Sequence, residues 1–247
     1  MNHLLNIYIY SIVILFSIII APFVTLYVVF LKILFTERFF LRKLRGFIRW
    51  YGLIIVKVLF FPFIKVKFID MSENENVAPC IFVCNHRSSS DPFLQAFLPY
   101  EIILVVNDWP FRIPVLGFMA KFAGYLSIKE MDYNDFFETV CKLLKQGVCI
   151  AAFPEGTRSG CNKMGYFHGA VFRVALKMKC PIVPICIIGN ENIPSKDFVL
   201  HSGTIRMKRL PAIDYSVYKN MGPFKFKNYV RNIIADETAS MEREFKI

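Results

Sequence analysis

Residues able to do proton chemistry are scarce in this sequence, and two of them fall close together in the stretch CNHRSSSDPF, residues 84–93. His86 is one of only four histidines in the chain, and Asp91 follows five positions later. An imidazole suits the removal of a hydroxyl proton because it ordinarily titrates near pH ~6.5. A carboxylate on one ring nitrogen fixes the tautomer and leaves the other nitrogen available as a base. A spacing of five would not align the two on a continuous helix, but a turn can fold the carboxylate back onto the ring. Taken alone, such a pair is at least as often structural.

A second stretch has the makings of an anion site. In CIAAFPEGTRSG, residues 149–160, an apolar run ends at a proline and a turn carries Glu155, Gly156, Thr157 and Arg158. Glycine permits close backbone approach, exposed N–H groups favour an anion, and arginine offers a forked partner for phosphate or carboxylate. A third run, PIVPICIIG at 181–189, reads as another buried strand bounded by punctuation.

These residues must be held by a framework. Ile81-Phe82-Val83 predicts a buried strand, and Asp91-Pro92 predicts a helix start with Asp91 as N-cap and proline at the first helical position. His86 then sits on a strand-to-helix turn, at the carboxyl end of a strand, where open α/β sheets carry their sites. Residues 64–69 alternate as a strand does, and MSENENVAP at 71–79 is a polar turn. Helical periodicity runs over 132–147, 169–179 and 229–245.

The N-terminal quarter is of another kind. No charged residue occurs from Leu4 to Leu31, long enough for a membrane span, although Pro22 also allows a bent, half-inserted helix. Met1-Asn2-His3 lacks the basic start of a signal peptide. Between Lys32 and Lys67 stand nine basic residues and one acid, a net of +8 within a chain whose formal charge is +11. Arg38, Arg42, Arg45 and Arg49 stack on one helical face and Leu41, Leu44, Ile48 and Tyr51 on another. That pattern predicts an amphipathic helix at the membrane interface with its arginines at headgroup level. The positive-inside bias places the rest of the chain in the cytoplasm, at the inner (cytoplasmic) membrane. The expected division is 1–63 as membrane-anchoring helices and 64–247 as the catalytic domain.

Nucleic acid is the rival partner for a basic chain, but no zinc-finger or RNA-recognition signature is present. The seven cysteines form no C-x-x-C pair and complete no metal set, which favours reduced thiols packed as small hydrophobes and no metal.

The motifs together resemble the glycerophospholipid acyltransferase family, in particular its bacterial 1-acylglycerol-3-phosphate acyltransferases. The family's H-x-x-x-x-D stands as NHRSSSD, its F-P-E-G-T-R-S is complete from Phe153 to Ser159 about 65 residues later, and its V-P-I is Val183-Pro184-Ile185. Order and spacing match over roughly 78–212. The resemblance implies an α/β fold with a mixed central sheet flanked by helices. It also implies transfer of a fatty acyl group from a thioester, acyl-CoA or acyl carrier protein, to a lysophospholipid hydroxyl, with no further cofactor. Carried onto this sequence, His86 would be the general base and Asp91 its orienting carboxylate. Glu155, Gly156, Thr157 and Arg158 would form the acceptor-binding turn, and Pro184 would shape the acyl-binding wall. Membrane lipids are the implied surroundings; no oligomeric state follows.

One departure bears on the acceptor. The family's G-x-x-F-I-D-R reads GYLSIKE here, with Glu130 in the arginine's place. Lys129 is adjacent, but neighbours on a strand point to opposite faces, so it is not a simple substitute. A carboxylate facing a phosphate would repel it. Either Arg158 and a basic residue from elsewhere hold the phosphate, or the acceptor is another amphiphile, such as a lyso-aminolipid, a glycolipid or a polyene. Arg206 and Lys208, two apart on a predicted strand, are candidates. DWPFRIP at 108–114 matches the family loosely at Arg112 and Pro114, and His168 reads as surface or supporting. An inactive lipid-binding relative is the other alternative; a hydrolase would be expected to carry G-x-S-x-G, which is absent.

Overall fold

The computed structural model describes residues 2–72, 76–112, 116–159 and 163–245; Pro114, Gly160 and positions 73–75 of the polar turn lie outside them. Seven strands form one mixed sheet: β1 (Ile64–Asp70), β2 (Ile81–Cys84), β3 (Ile102–Val106), β4 (Leu126–Ser127), β5 (Cys149–Ala152), β6 (Ile182–Ile188) and β7 (Gly203–Arg209). Their spatial order is β1-β7-β6-β2-β5-β3-β4. Every pairing is parallel except β6 with β7, so β7 and β1 run against the other five.

The sequence explains the layering. β2, β3, β5 and β6 are unbroken apolar runs, buried at every position, as parallel strands covered on both faces must be. Edge strand β1 alternates instead. Alternation sends Ile81 and Val83 to one core and Phe82 and Cys84 to the other. The first core is closed by α5 (Tyr133–Lys145), α6 (Ala170–Met178), the short α7 (Tyr215–Tyr218) and the long α8 (Pro223–Phe245). Helix α5 starts where the Asp132 side chain accepts the Asp135 N–H at 2.9 Å, and it ends before Gly147, at φ +80°. Helix α8 begins six residues earlier than its periodicity suggests, because Pro223 is a compatible first-turn residue.

The second core is closed by the N-terminal helices. Helix α1 (Asn2–Leu34) is long and apolar enough to cross a membrane. Helix α2 (Glu37–Ile54) is capped by Thr36 and runs on through a π turn to Leu59. Ile9, Tyr51, Ile55 and Val56 share one apolar cluster with β2 and β6, so this quarter of the chain belongs to the core of the fold. Farther along α1, Val24 and Leu31 pack with Phe40 and Leu44 of α2 and Met119 of α4 (Leu116–Phe122).

The arginines of α2 correct the sequence expectation. Arg45 is buried; its guanidinium reaches Glu101 at 2.6 Å and the Ala123 carbonyl at 2.9 Å. Arg38 also pairs with Glu101, and Arg49 donates to the Leu98 carbonyl at 2.9 Å. Three of the four thus dock α2 on the domain, and Arg42 alone of the series remains exposed without a described partner. Leu44 and Tyr51 are buried as well, so both faces of the helix find protein partners. Burial raises the Glu101 pKa, but hydrogen bonds and charge from Arg38 and Arg45 outweigh it and hold the carboxyl below its ordinary range.

Candidate active site

The site begins where β2 stops. The Asn85 side chain is clamped on the neighbouring strand, donating to the Ile187 carbonyl and accepting the Ile187 N–H, each at 2.8 Å. That fixes the strand end from which His86 departs. The chain then turns into the short helix α3 (Asp91–Leu94), and Asp91 folds back over the turn. Its Oδ2 accepts His86 Nδ1 at 2.8 Å, the Arg87 N–H at 2.8 Å and the Ser88 N–H at 3.0 Å, while Oδ1 accepts the Asn190 amide. Asp91 is fully buried, and four donors replace the water that burial removes.

Asp91 is therefore not the N-cap. Ser90 holds that position, and Pro92 is the second helical residue. The carboxylate satisfies the N–H groups of the preceding turn, because only that geometry also reaches the imidazole. With Nδ1 facing Asp91, Nε2 is the nitrogen left for chemistry. The imidazole lies tilted against the Phe153 ring, centroids 4.8 Å apart, and lines a cavity of about 550 Å³.

The turn after β5 grips the His86 peptide from both sides. Glu155 Oε1 accepts the His86 N–H at 2.7 Å, and Ser159 donates to the His86 carbonyl from its N–H at 2.9 Å and its hydroxyl at 3.2 Å. The other oxygen of Glu155 accepts the Gly165 N–H at 2.8 Å. Glu155 is buried behind the histidine, away from the cavity wall, which corrects its expected place in an acceptor-contacting turn. Gly156, Thr157 and Arg158 do line the cavity. Gly156 has φ +70°, and the His168 ring lies 3.2 Å from where a Cβ would stand, so both backbone and space demand glycine. Arg158 turns its guanidinium over the Phe198 ring at 5.3 Å, and its Nη1 is buried without a hydrogen-bond partner.

Pro184 is placed differently from its expected role. It lies inside β6, paired with Val83 of β2, and its carbonyl accepts the Leu210 N–H, so it is a sheet residue and not part of the cavity wall. Apolar space comes from another quarter: a pocket lined by Tyr51, Gly52, Ala96, Ile102 and Leu104 lies between α2 and the sheet. Ser89, Pro92, Val106 and Pro110 border both this pocket and the cavity.

The rim is cationic. Lys129 lines the cavity and Glu130 does not, which reverses the expectation from strand alternation. Strand β4 ends at Ser127, so the two residues lie in the turn beyond it, where alternation no longer governs direction. Lys129 Nζ is 3.5 Å from Asp108, which also accepts from Arg112 at 2.9 Å. Lys196 joins the rim from the connection between β6 and β7. Arg206 and Lys208 face α8 instead: Lys208 pairs with Glu237 at 2.6 Å and Arg206 covers the Phe245 ring at 4.1 Å. His168, read from sequence as surface or supporting, is exposed at the cavity mouth.

Asn190 and Lys196 were missed by motif reasoning. Asn190 is wholly buried and follows β6, whose carboxyl end lies beside that of β2. Strand adjacency was the signal that could have found it. Arg87 ties the same region to the C-terminal helix, pairing with Glu191 and, at 2.6 Å, with Glu242.

Comparisons with known proteins agree with this geometry. A chloroplastic 1-acyl-sn-glycerol-3-phosphate acyltransferase of Brassica napus is 29% identical over 175 residues, covering 67% of this chain and 50% of that protein. The matched region thus spans about half the length of that plant relative. The Escherichia coli K12 1-acyl-sn-glycerol-3-phosphate acyltransferase is 24% identical over 189 residues, 73% of this chain and 76% of that one. The crystal structure of the 1-acyl-sn-glycerophosphate acyltransferase PlsC from Thermotoga maritima shares the fold, with a TM-score of 0.73 at 21% identity over 98% of this chain and 96% of that one. The family model described as Acyltransferase matches residues 65–188, half of the chain and the whole of the His86, Asp91 and Glu155 framework, and the chain belongs to that family.

Proposed function

We propose that this protein transfers a fatty acyl group from a thioester, carried on coenzyme A or acyl carrier protein, to the free hydroxyl of 1-acylglycerol-3-phosphate, giving phosphatidic acid. The observation that carries the reading is His86: Nδ1 on buried Asp91, peptide gripped by Glu155 and Ser159, ring bordering a cavity that has apolar space on one side and cations on the other. Nε2 takes the hydroxyl proton as the acceptor oxygen attacks the thioester carbonyl. The tetrahedral intermediate then collapses, and the thiol leaves with a proton returned by the imidazolium. A rigidly held base matters because water competes with the lipid alcohol as nucleophile.

The apolar pocket beneath α2 is small, about 90 Å³, and takes only part of the acyl chain, while the acceptor phosphate falls to Arg158, Lys129 and Lys196. Glu130 is not among the residues that line the cavity, which favours a phosphate-bearing acceptor over a phosphate-free one. Helix α1 is about 50 Å long at 1.5 Å per residue, against a hydrocarbon layer of about 30 Å. It touches the domain near both ends and exposes Leu4, Ile7, Ile18, Phe23 and Phe30 along its outer side. That arrangement supports a helix lying half-inserted in one leaflet, and the basic residues between Lys32 and Lys67 favour the cytoplasmic side of the inner membrane for it and for the catalytic domain.

The test is purified protein in mixed micelles offered 1-acylglycerol-3-phosphate and phosphate-free lyso-acceptors, with acyl-CoA and acyl carrier protein donors, and His86→Ala as blank. Turnover of the phosphate acceptor that vanishes in H86A is expected. Retained turnover in the variant would remove His86 as the base, and use of phosphate-free acceptors alone would overturn the substrate.

A further inference from the structure

Acyl transfer does not explain why a helix without a charged residue from Leu4 to Leu31 carries Asn6, nor why Tyr10 follows one turn later. A side-chain amide in such a helix has to find polar partners, and where it finds them is informative. Asn6 meets the backbone of Leu200 as a neighbouring strand would: Nδ2 donates to the Leu200 carbonyl at 2.9 Å, and Oδ1 accepts the Leu200 N–H at 2.8 Å. The Tyr10 hydroxyl donates to the Phe198 carbonyl at 2.6 Å. Both contacts land on the connection between β6 and β7.

That connection reaches the cavity rim. Phe198 supplies the ring beneath the Arg158 guanidinium, and Lys196 lines the cavity from the same turn. Phe198 has φ +61°, a left-handed backbone that a bulky residue adopts only when its surroundings hold it there. The turn is closed by bonds from Phe198 and Val199 back to Ser195, from Ser195 to Val199 and, farther out, from His201 to Asn192. The bonds from α1 fall on the strained residue and on the residue two places after it.

We infer that Asn6 and Tyr10 are positioning residues for the acceptor: by clamping residues 198–200 they set Phe198 and Lys196 around Arg158, so that affinity for the acceptor's phosphate depends on how α1 is seated. The inference rests on the proposed pairing of Arg158 with that phosphate. It assigns α1 a part in substrate binding beyond anchorage, and it separates the acceptor, whose grip should weaken when the clamp is cut, from the donor, whose grip should not.

The experiment uses the full chain carrying Asn6→Leu and Tyr10→Phe together, both of which keep α1 apolar. Four quantities are read: KM for 1-acylglycerol-3-phosphate, KM for acyl-CoA, flotation with vesicles of phosphatidylethanolamine and phosphatidylglycerol, and hydrogen exchange of the Leu200 amide. Loss of three hydrogen bonds predicts an acceptor KM about ten-fold higher and faster Leu200 exchange, with donor KM and flotation unchanged. Tyr10→Phe alone should give a smaller rise of the same kind. An unchanged acceptor KM overturns the inference, as does unchanged Leu200 exchange. A parallel rise in both KM values with lost flotation overturns it too, since α1 would then act only as an anchor. Were the unaltered protein to refuse 1-acylglycerol-3-phosphate, the proposed function would fail, while the exchange measurement would still decide whether the clamp exists.

Discussion

The turn that carries His86 and the rim that carries Arg158, Lys129 and Lys196 border the same cavity, yet they are built in opposite ways. Around His86 most polar atoms are engaged, Asn190 Oδ1 being a buried exception among the described residues. Asp91 is buried with four donors, Asn85 is locked to β6, and the His86 peptide is bonded on both sides. On the rim, Lys196 is exposed on a loop, Lys129 is shared with Asp108, and Arg158 keeps a buried nitrogen without a hydrogen bond. A proton acceptor must be aimed within fractions of an ångström, so its surroundings are over-determined. A binding group for a charged headgroup must instead retain unspent hydrogen-bonding capacity until the ligand arrives.

That contrast can be broken or sharpened by substitution. Asp91→Asn leaves the shape of the turn but removes the charge that holds the imidazole, and kcat should fall by about 10⁴-fold with little change in KM. A loss below ten-fold in steady-state kinetics would mean that the turn is less finely set than the geometry indicates. Arg158→Ala should act through binding, lowering kcat/KM for a phosphate-bearing acceptor by about 10–100-fold, the worth of a charge-assisted contact. Its effect on a phosphate-free acceptor should be small, and equal losses on both would assign Arg158 to the catalytic turn instead. Asn190→Ala removes one of four donors from Asp91 and should cost about ten-fold in kcat, with a displaced pH–rate profile and unchanged acceptor KM.

The smallest effect on turnover is expected where neither region is touched. Glu101→Gln unties α2 from the domain, and the protein should melt at a lower temperature while kcat at 25 °C is preserved. The depressed pKa of Glu101 gives the sign of the pH dependence. Its ionised form stabilises the fold fully above the ordinary glutamate value of about 4.3, and that stabilisation is lost as pH falls through the lower folded value. Calorimetry from pH 7 down to pH 3 should show the unaltered protein converging on the variant at the acid end; parallel curves would remove Glu101 as the tie.

The two regions also differed in how far the sequence revealed them. The strand before His86 and the turn at Gly156 follow from apolar runs and glycine, which are local, and the mixed sheet from the family resemblance that the motifs carry. What escaped was direction. Asp91 looked like a helix cap because its neighbour is proline, but its carboxylate is drawn back to the imidazole. Glu155 looked like an acceptor contact because it sits in a turn with Arg158, yet it faces the His86 backbone. Lys129 was set aside by a rule of alternation that stops two residues earlier, with the end of β4. The arginines of α2 share a face as periodicity predicts, but only the fold shows that Glu101 and the backbone carbonyls of Leu98, Ala123 and Gln146 wait opposite them. For Glu155 and the arginines of α2 the deciding partner is remote in sequence, whereas for Asp91 and Lys129 the path of a local turn decides.

The reversal of β7 has one more consequence. Were it parallel to β6, the chain would have to cross the whole sheet through a helix before returning. Because it is antiparallel, residues 189–202 stay at the edge where His86 emerges, beginning and ending on strands whose pairing is already complete. Asn190, at the start of that segment, serves Asp91, while Lys196 and Phe198 farther along face the rim, so a change in the proposed headgroup contacts has to be confined to the stretch beyond Asn190.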